Sequence, residues 1–464
     1  LYRDFVKMYL LYSFILLFCV ITNGQNVDTP PVITSPFDDA YYIPELNDFN
    51  KTFHCQATGH PEITFEWRKD GKKVVNSLVT RVDPVNGYLS IFKAELSDFG
   101  VYQCFASNTV GTAMSAAFTL ERAFMPPFSD IVQKTLDPVQ QYRNMSIPCT
   151  GKPKCRPASD CRYEWKLGAG ASNTVEQSDR IAVDMEGTLH FLNVDLTDQS
   201  TQSDPYACGV WNEQMKALYK GANIIMSVIP VTNPAIYPPK ALFFRETRGL
   251  LGGEAELQCV FAGYPLPDMG WQAPNGQMIS EIKGKYEFRA NTARRNLIIK
   301  NLKASDEGTY KCIASNIQGK VQAQVFLNVT SKPRFAQNEL LLSAVVPQGK
   351  DANFTCKMVS MDNERPPTSP IWRRNGMLLP ASQIGDRPEQ KYRLSEDGTV
   401  LTIKNVQKPS DACSIMCSSG NVIYDMNGND KFVETYADAS LRVIDAIGVN
   451  VLTPTSLELK DTGA

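Results

Sequence analysis

The most informative reactive residues of this chain are its cysteines, which recur at a regular distance from tryptophan. Four sets of cysteine, tryptophan and cysteine follow one another: Cys55–Trp67–Cys104, Cys149–Trp165–Cys208, Cys259–Trp271–Cys312 and Cys356–Trp372–Cys417. In each set the tryptophan follows the first cysteine by 12 or 16 positions. Cysteines form disulfides in an oxidising compartment, and a large apolar side chain packs well against such a bond. The spacing therefore predicts four disulfides, each buried beside a tryptophan.

A turn motif precedes the second cysteine of each set. It combines an aspartate with a tyrosine in three sets: Asp98 with Tyr102, Asp198 with Tyr206, and Asp306 with Tyr310. The tyrosine hydroxyl of such a corner bonds back to the backbone a few residues upstream. The fourth set departs from the motif, because Cys413 and Ile415 follow Asp411 where glycine and tyrosine are expected. We therefore expect the fourth unit to be the least stable.

Strand-like segments lie upstream of these corners. Apolar residues alternate with other residues from Leu89, Leu189, Leu297 and Leu401. A period of two indicates a strand with one face in a core. An arginine stands 17 or 18 positions before each corner aspartate: Arg81, Arg180, Arg289 and Arg393. The interval predicts a bidentate arginine–aspartate bridge in each unit, with chance alignment of common residues as the alternative.

Together these elements predict an all-β chain of four tandem immunoglobulin-like β-sandwiches of the I-set or C2 type. Two antiparallel sheets, tied by a disulfide that packs on a tryptophan, define this fold. A chain of 464 residues is too long for one core. The expected divisions are a signal peptide at 1–24, domain 1 at 27–122, domain 2 at 123–228, a proline-rich hinge linker at 229–240, domain 3 at 241–330, domain 4 at 331–444, and the start of a truncated fifth domain or a tail at 445–464.

The N-terminus has the pattern of a secretory signal peptide. Arg3 and Lys7 precede an apolar run at 8–21, and small or polar residues follow up to Gly24. Export explains the predicted disulfides. We therefore expect the protein to be extracellular or on the cell surface.

Three further cysteines remain in the exported part. Cys155 and Cys161 stand close together and are expected to close a small loop. Cys413 is left over, and it is buried, paired between chains, or exchanging with Cys417. Sequons for N-glycosylation, which also fit an exported chain, begin at Asn50, Asn144, Asn328 and Asn353.

Composition argues against several classes of function. A net charge of -2 lacks the basic field that a nucleic-acid partner requires, and the local basic run at 289–303 is interpreted as a solvated sheet face. The chain has three histidines, so a zinc site is not expected. His54 and His190 are expected to point outwards from strands. The sequence has no phosphate-binding loop and no nucleophile elbow, so it predicts no enzyme, cofactor or metal.

Short stretches carry a more specific resemblance. Residues 67–71 (WRKDG) and 102–108 (YQCFASN) resemble the first immunoglobulin domain of L1-type neural cell-adhesion molecules. The resemblance extends to 186–191 (EGTLHF) and 312–316 (CIASN). It implies a horseshoe, in which domain 1 folds back on domain 4 and domain 2 on domain 3.

The resemblance also implies a function. Members of this family bind like molecules on opposing cells, bind other immunoglobulin-superfamily adhesion proteins, and act in neural development. The first hypothesis is an adhesive ectodomain that reaches a membrane only through a missing C-terminal part. The second is a soluble immune protein of the hemolin type that binds microbial surfaces. A fifth domain starting at 445–464 would favour the first hypothesis.

Overall fold

A computed structural model describes residues 28–44, 50–168, 173–336, 341–360, 367–424 and 430–445. The expected signal peptide and nearly all of the expected fifth-domain segment lie outside the described residues. The regular elements of the described backbone are 39 β-strands and short 3-10 turns, and none of them is an α-helix. No helix in that part of the chain is long and apolar enough to cross a membrane. The all-β prediction is confirmed.

Domain 1 is a sandwich of two sheets. Its strands are β1 (Thr29–Ile33), β2 (Ala40–Pro44), β3 (Asn50–His54), β4 (Ala57–His60), β5 (Thr64–Lys69), β6 (Lys72–Lys73), β7 (Thr80–Asp83), β8 (Tyr88–Phe92), β9 (Gly100–Ser107), β10 (Thr112–Met114) and β11 (Phe118–Ala123). The back sheet has the order β3-β8-β7, and the front sheet has the order β2-β11-β9-β5-β6 with β10 on β9. Strands β1 and β4 form a separate pair. As the alternating pattern predicts, Leu89 and Ile91 of β8 are buried in the core.

Domain 2 repeats the arrangement with shorter strands. They are β12 (Lys134–Thr135), β13 (Val139–Gln140), β14 (Met145–Ile147), β15 (Cys161–Leu167), β16 (Asn173–Thr174), β17 (Ile181–Val183), β18 (Leu189–Phe191), β19 (Tyr206–Asn212), β20 (Ala217–Ile225) and β21 (Val228–Ile229). The back sheet is β14-β18-β17, the front sheet is β12-β20-β19-β15-β16, and β13 pairs with β21.

Domain 3 has two four-stranded sheets. Its strands are β22 (Tyr237–Phe244), β23 (Thr247–Leu250), β24 (Ala255–Tyr264), β25 (Asp268–Gln272), β26 (Tyr286–Phe288), β27 (Asn296–Ile299), β28 (Gly308–Asn316) and β29 (Gly319–Thr330). The back sheet is β22-β24-β27-β26, and the front sheet is β23-β29-β28-β25.

Domain 4 ends in a long hairpin. Its strands are β30 (Arg334–Phe335), β31 (Ala344–Pro347), β32 (Ala352–Thr355), β33 (Met358–Val359), β34 (Ile371–Arg374), β35 (Met377–Leu378), β36 (Tyr392–Leu394), β37 (Val400–Ile403), β38 (Cys413–Tyr424) and β39 (Asp430–Ile444). The back sheet is β32-β37-β36, the front sheet is β31-β39-β38-β34-β35, and β30 pairs with β33. Among the described residues, 3-10 turns occur at Leu96–Asp98, Ala158–Asp160, Leu196–Asp198, Ala304–Asp306 and Ala381–Gln383.

A disulfide and a tryptophan occupy the centre of every sandwich. The bridges join Cys55 to Cys104, Cys149 to Cys208, Cys259 to Cys312, and Cys356 to Cys417. The four tryptophans beside them are at most 4% exposed. Each indole N–H donates to a backbone carbonyl, on Gly87, Gly187, Arg294 and Gly398 respectively. The one polar atom of each buried tryptophan therefore has a partner.

Three domains have the expected tyrosine corner. The hydroxyls of Tyr102, Tyr206 and Tyr310 donate to the carbonyl oxygens of Asp98, Asp198 and Asp306 at 2.6, 2.9 and 3.0 Å. Burial raises the pKa of these three phenols above the ordinary value, so that they remain neutral donors at neutral pH. Each corner thus links the turn to the strand that carries the second cysteine.

The predicted arginine–aspartate bridge occurs in domain 2, where Arg180 donates to both carboxylate oxygens of Asp198 at 2.5 and 2.8 Å. The prediction is wrong for domains 1, 3 and 4. In domain 1 the Asp98 carboxylate accepts from the Glu95 amide at 2.9 Å and does not pair with Arg81. Asp306 accepts from Lys285 at 2.5 Å, and Asp411 accepts from Lys391 at 2.6 Å.

The ladder register explains this error. Arg180, Lys285 and Lys391 each stand directly before a back-sheet strand, namely β17, β26 and β36. By the same register Val79 holds this position before β7 in domain 1, so Arg81 lies two residues further on and its guanidinium lies over the Phe92 ring. Arg289 follows β26 and binds Glu256, and Arg393 lies within β36. The partner of the corner aspartate is therefore set by the residue that precedes the back-sheet strand, and not by a fixed number of residues along the chain.

The corner of domain 4 is built from different side chains. Arg374 donates to the Tyr392 hydroxyl at 2.9 Å and to the Ser410 carbonyl at 2.5 Å. It also lies 3.4 Å from the Asp411 carboxylate. Cys413 is a free thiol with no solvent exposure, and burial raises its pKa to about 11. Of the three fates considered for Cys413, the structure has the buried one.

The connection between domains 2 and 3 is shorter than the linker expected at 229–240. Ile229 still pairs within domain 2 through β21, and residues from Tyr237 onwards belong to β22. The segment outside both sheets is 230–236. Pro238 and Pro239 lie where the register of β22 shifts, a position that tolerates residues without an amide donor.

Replacing Arg374 by methionine is expected to loosen the rebuilt corner, because a half-buried charged donor with several acceptors is lost while the acceptors stay. Loss of such bonds costs about 1–3 kcal/mol. Amide hydrogen exchange in β36 and β38 should therefore accelerate in Arg374→Met. Arg393→Met, which changes an exposed arginine on β36, is the control. Equal exchange in both variants would contradict the role assigned to Arg374.

Candidate functional site: the interfaces that fold the chain back

Arg295 of domain 3 is inserted into domain 2. The side chain is 1% exposed. Its guanidinium donates to the backbone carbonyls of Ser178, Asp179 and Ile181 at 2.5, 2.9 and 3.1 Å. Burial lowers the pKa of Arg295 to about 10, so it remains charged at neutral pH. The interpretation of 289–303 as a solvated sheet face is therefore wrong at Arg295.

The core of domain 3 holds Arg295 in place. The Arg295 carbonyl accepts from the Cys259 amide at 3.0 Å, and the preceding carbonyl of Arg294 accepts from the Trp271 indole at 2.8 Å. The turn before it contains Asn291 and Ala293 at positive φ. The disulfide and tryptophan that define the sandwich thus also fix the turn that presents the arginine.

Apolar and amide contacts surround this guanidinium. Buried Ala182 and Leu192 of domain 2 pack with Val260 of domain 3 in one cluster. Gln258 bonds the backbone of domain 2 twice, accepting from the Met185 amide at 2.8 Å and donating to the Val183 carbonyl at 2.9 Å. The back sheets of the two domains therefore face each other.

Four aromatic and basic side chains close the bend near 230–236. The Tyr237 hydroxyl donates to the Tyr142 carbonyl at 3.1 Å. The rings of Tyr142 and Tyr264 lie 4.8 Å apart, and Arg143 lies over the Tyr237 ring at 5.5 Å. The short segment between the domains thus runs beside direct contacts that set its angle.

A row of hydrogen bonds between Ser146, His190 and Asp184 borders this interface. The Ser146 hydroxyl lies 2.8 Å from Nδ1 of His190, and Nε2 lies 2.9 Å from the Asp184 carboxylate. Burial alone would raise the pKa of Asp184, but hydrogen bonds from His190 and the Thr188 amide hold it below its ordinary value.

His190 points away from the core of domain 2 as expected, yet it is only 3% exposed. It pairs with Ala182, which packs against domain 3. We interpret the row as structural support for the docking face. His54, the other expected outward histidine, stacks on Tyr88 at 4.2 Å.

The front sheets of domains 1 and 4 form the second interface. Phe105 and Met114 of domain 1 pack with Met416 and Tyr436 of domain 4 in one apolar cluster. Phe105 neighbours the disulfide-bonded Cys104 and points to the opposite side of its strand, and Met416 has the same relation to Cys417. Burial of these side chains stabilises the contact between the ends of the chain.

Polar contacts fix the register of this second interface. Asn375 lies in an Asn-Gly hairpin turn between β34 and β35, and its Oδ1 accepts from the amides of Thr112 and Ser414 at 3.2 and 2.9 Å. The Ser414 hydroxyl donates to the Pro31 carbonyl at 2.8 Å. A Cβ on Gly111 would lie 2.8 Å from Asn375 Oδ1, so this approach requires glycine.

The loop closed by Cys155 and Cys161 braces the joint between domains 1 and 2. The structure joins these two cysteines. Between them, Arg156 exchanges two backbone hydrogen bonds with Phe124, at 2.8 and 3.1 Å.

At the joint before domain 4, Lys332 pairs with Asp39 of domain 1 at 2.5 Å. Residues that stand far apart in sequence therefore restrain the path of the chain.

The four predicted glycosylation sites lie on strands or turns away from the apolar cluster of domains 1 and 4. Asn50 and Asn353 are exposed on the back sheets of these domains, and Asn144 and Asn328 are half-buried. Their glycosylation remains a prediction.

Within the described ranges, no group of His, Cys, Asp or Glu side chains could hold a metal ion.

Comparison with known proteins agrees with this architecture. Residues 30–108 match the model of an immunoglobulin domain, and residues 244–329 match the immunoglobulin I-set domain. Human neural cell adhesion molecule L1 is 26% identical over 414 residues, covering 86% of this chain. Neuroglian of Drosophila melanogaster is 28% identical over 422 residues, covering 87%. The resemblance to L1-type molecules is thus confirmed, although the chain spans only 30% of L1 and 31% of neuroglian.

Solved structures share the fold and the domain arrangement. The crystal structure of the insect immune protein hemolin superimposes with a TM-score of 0.67, at 20% identity, covering 90% of this chain and 100% of that one. Immunoglobulin domains 1–4 of Sidekick-1 superimpose with a TM-score of 0.59, at 19% identity, with the same coverage. The expected horseshoe of four sandwiches is confirmed.

Replacing Arg295 by alanine should open the bend, because three carbonyls in a buried interface would lose their donor. Truncating one side of such a buried, charged contact costs about 2–5 kcal/mol. Sedimentation velocity should show a lower sedimentation coefficient at unchanged mass. Arg294→Ala, at the exposed neighbouring position, should sediment like the unaltered chain. A compact Arg295→Ala variant would contradict the role of this side chain.

Proposed function

We propose that this chain is the adhesive part of a cell-surface protein, and that its closed horseshoe binds copies of itself and other immunoglobulin-superfamily adhesion proteins on opposing cells. The observation that carries the proposal is the pairing of domain 1 with domain 4, made by the cluster that joins Phe105 and Met114 to Met416. Similarity to L1 and neuroglian, both of which are longer than this chain, supports it.

Closure gives the molecule defined outer surfaces. Two pairs of sheets face each other inside the horseshoe. They are the front sheets of domains 1 and 4 and the back sheets of domains 2 and 3. The front sheet of domain 2 remains outside, and there Arg162 stacks on Trp211 at 5.2 Å and bonds Glu213 at 3.2 Å. Tryptophan and arginine dominate many protein interfaces. Such a face suits binding to another protein.

Adhesion of this kind acts through many weak contacts. A single contact of modest area gives low affinity, and a surface that carries many copies gains avidity from them. The chain should therefore remain dispersed in dilute solution and cluster when it is displayed densely. Glycans at Asn50 and Asn353 would cover the back sheets of domains 1 and 4 and leave the outer face of domain 2 open.

The experiment is a bead-clustering assay with the chain coupled at its C-terminus. Beads that carry the unaltered chain should cluster. Met416→Asp should abolish clustering, because a carboxylate in the apolar cluster prevents domain 1 from docking. Met278→Asp is the control, since Met278 is 58% exposed on domain 3.

Two outcomes would count against the proposal. Clustering by Met416→Asp beads would show that the closed form is not needed. Absence of clustering, both among the unaltered beads and with beads bearing related adhesion proteins, would contradict adhesion itself. Binding to lipopolysaccharide-coated beads in the same preparation would support the alternative, a soluble immune protein that binds microbial surfaces.

A further inference from the structure

A carboxylate lies inside the interface between domains 1 and 4. Asp438 is on β39, and its Oδ1 atom is closed to solvent and accepts no hydrogen bond among the described residues. The residue as a whole is half-buried. Withdrawing one oxygen of a carboxylate from water without giving it a partner is costly, because water solvates the charge better than an apolar interface does. Its position therefore calls for an explanation.

The neighbours of Asp438 on the sheet all meet domain 1 or flank that contact. Asp438 pairs across the ladder with Met416, which packs on Phe105. Tyr436, two residues earlier on the same face, joins the same cluster. Ser440, two residues later, pairs with Ser414, whose hydroxyl donates to Pro31 of β1. Docking of domain 1 thus covers the part of the sheet where Asp438 Oδ1 is closed to solvent.

The charged groups around Asp438 have other partners or lie further along the sheet. On its own strand, Glu434 accepts from the Tyr436 hydroxyl, and Arg442 lies beyond Ser440. On β34, Arg373 is opposite Met416 and donates to the Ser418 hydroxyl at 2.8 Å.

Domain 1 brings few charges to this place. Strand β1 has none, since its sequence is TPPVI. On β5, Arg68 stacks on the Phe105 ring at 4.2 Å and pairs with Glu66 at 2.7 Å. Strand β10 (TAM) is also uncharged, and the Lys332–Asp39 pair lies at the joint before domain 4. No described cation is therefore available to compensate Asp438.

We propose that Asp438 couples the closing of domain 1 on domain 4 to the uptake of a proton, so that the neutral acid favours the closed horseshoe and the carboxylate favours the open one. The inference goes beyond adhesion itself, since it concerns how the closed form is regulated. It rests on the proposed function only in that closure of the horseshoe would control adhesion.

The direction follows from burial. In the closed form, burial raises the pKa of Asp438 from the ordinary 3.8 to about 7. In an open form the carboxyl is in water and has its ordinary pKa. Closure is therefore favoured fully below the ordinary value, and this contribution is lost as the pH rises towards 7. Within that window the ratio of closed to open molecules falls by up to about tenfold for each pH unit.

The test is a pH titration of the distance between domains 1 and 4 in the whole chain. Fluorophores introduced at Leu78, which is 98% exposed, and at the exposed Lys350 report closure by energy transfer. Transfer should fall between pH 4 and pH 7 in the unaltered chain and change little above pH 7. In Asp438→Asn it should stay high throughout, because the amide has the shape of the acid without its charge. Asp445→Asn, at a carboxylate whose side chain is 84% exposed, should titrate like the unaltered chain.

Two results would overturn the inference. One is constant transfer in the unaltered chain across this range. The other is equal titration in Asp438→Asn and the unaltered chain, which would assign the effect to another group. Asp438→Ser serves as a second neutral variant if the asparagine form does not fold. Because transfer measures shape, a failure of bead clustering with a normal titration would refute adhesion and leave the proton coupling intact.

Discussion

The folded-back shape of this molecule depends on one buried guanidinium. Arg295 crosses from domain 3 into domain 2 and satisfies three backbone carbonyls there. A charge in such a place is costly unless every nearby acceptor is aligned, so intermediate angles between the domains are disfavoured. In an open chain, water would solvate both the guanidinium and the carbonyls. We therefore expect the bend to be either closed or open, with few molecules at intermediate angles.

The interface between domains 1 and 4 works on different physical terms. It joins a small apolar cluster with a few hydrogen bonds from Asn375 and Ser414, and it brings together parts of the chain that are some 300 residues apart in sequence. Such a contact forms only after the bend has placed the two domains side by side. The interface between domains 2 and 3 therefore sets the bend. The interface between domains 1 and 4 closes the horseshoe, and protonation of Asp438 shifts the balance between its closed and open forms.

The sequence revealed the internal structure of each domain better than the contacts between domains. Cys259 and Trp271 are recognisable because the sandwich core requires these residue types at a set spacing. Arg295 gave no comparable signal: it lies among other basic residues, and nothing in its neighbourhood shows that another domain covers it. The same holds for Met416 and Asp438, whose roles depend on a face-to-face contact over a long separation. The missed salt bridges of domains 3 and 4 have a related cause, since ladder register and not chain distance places Lys285 and Lys391.

Small-angle scattering of the whole chain at about pH 5, where the protonated Asp438 favours the closed form, tests the central claim most directly. Four domains of this size placed end to end would span roughly 150 Å, estimated from the usual radius of a 100-residue domain. A horseshoe held by the Arg295 contact would have a maximum dimension of roughly half that length. A maximum dimension near half of the extended length is the predicted result. A value near the extended length in the unaltered chain would contradict the account.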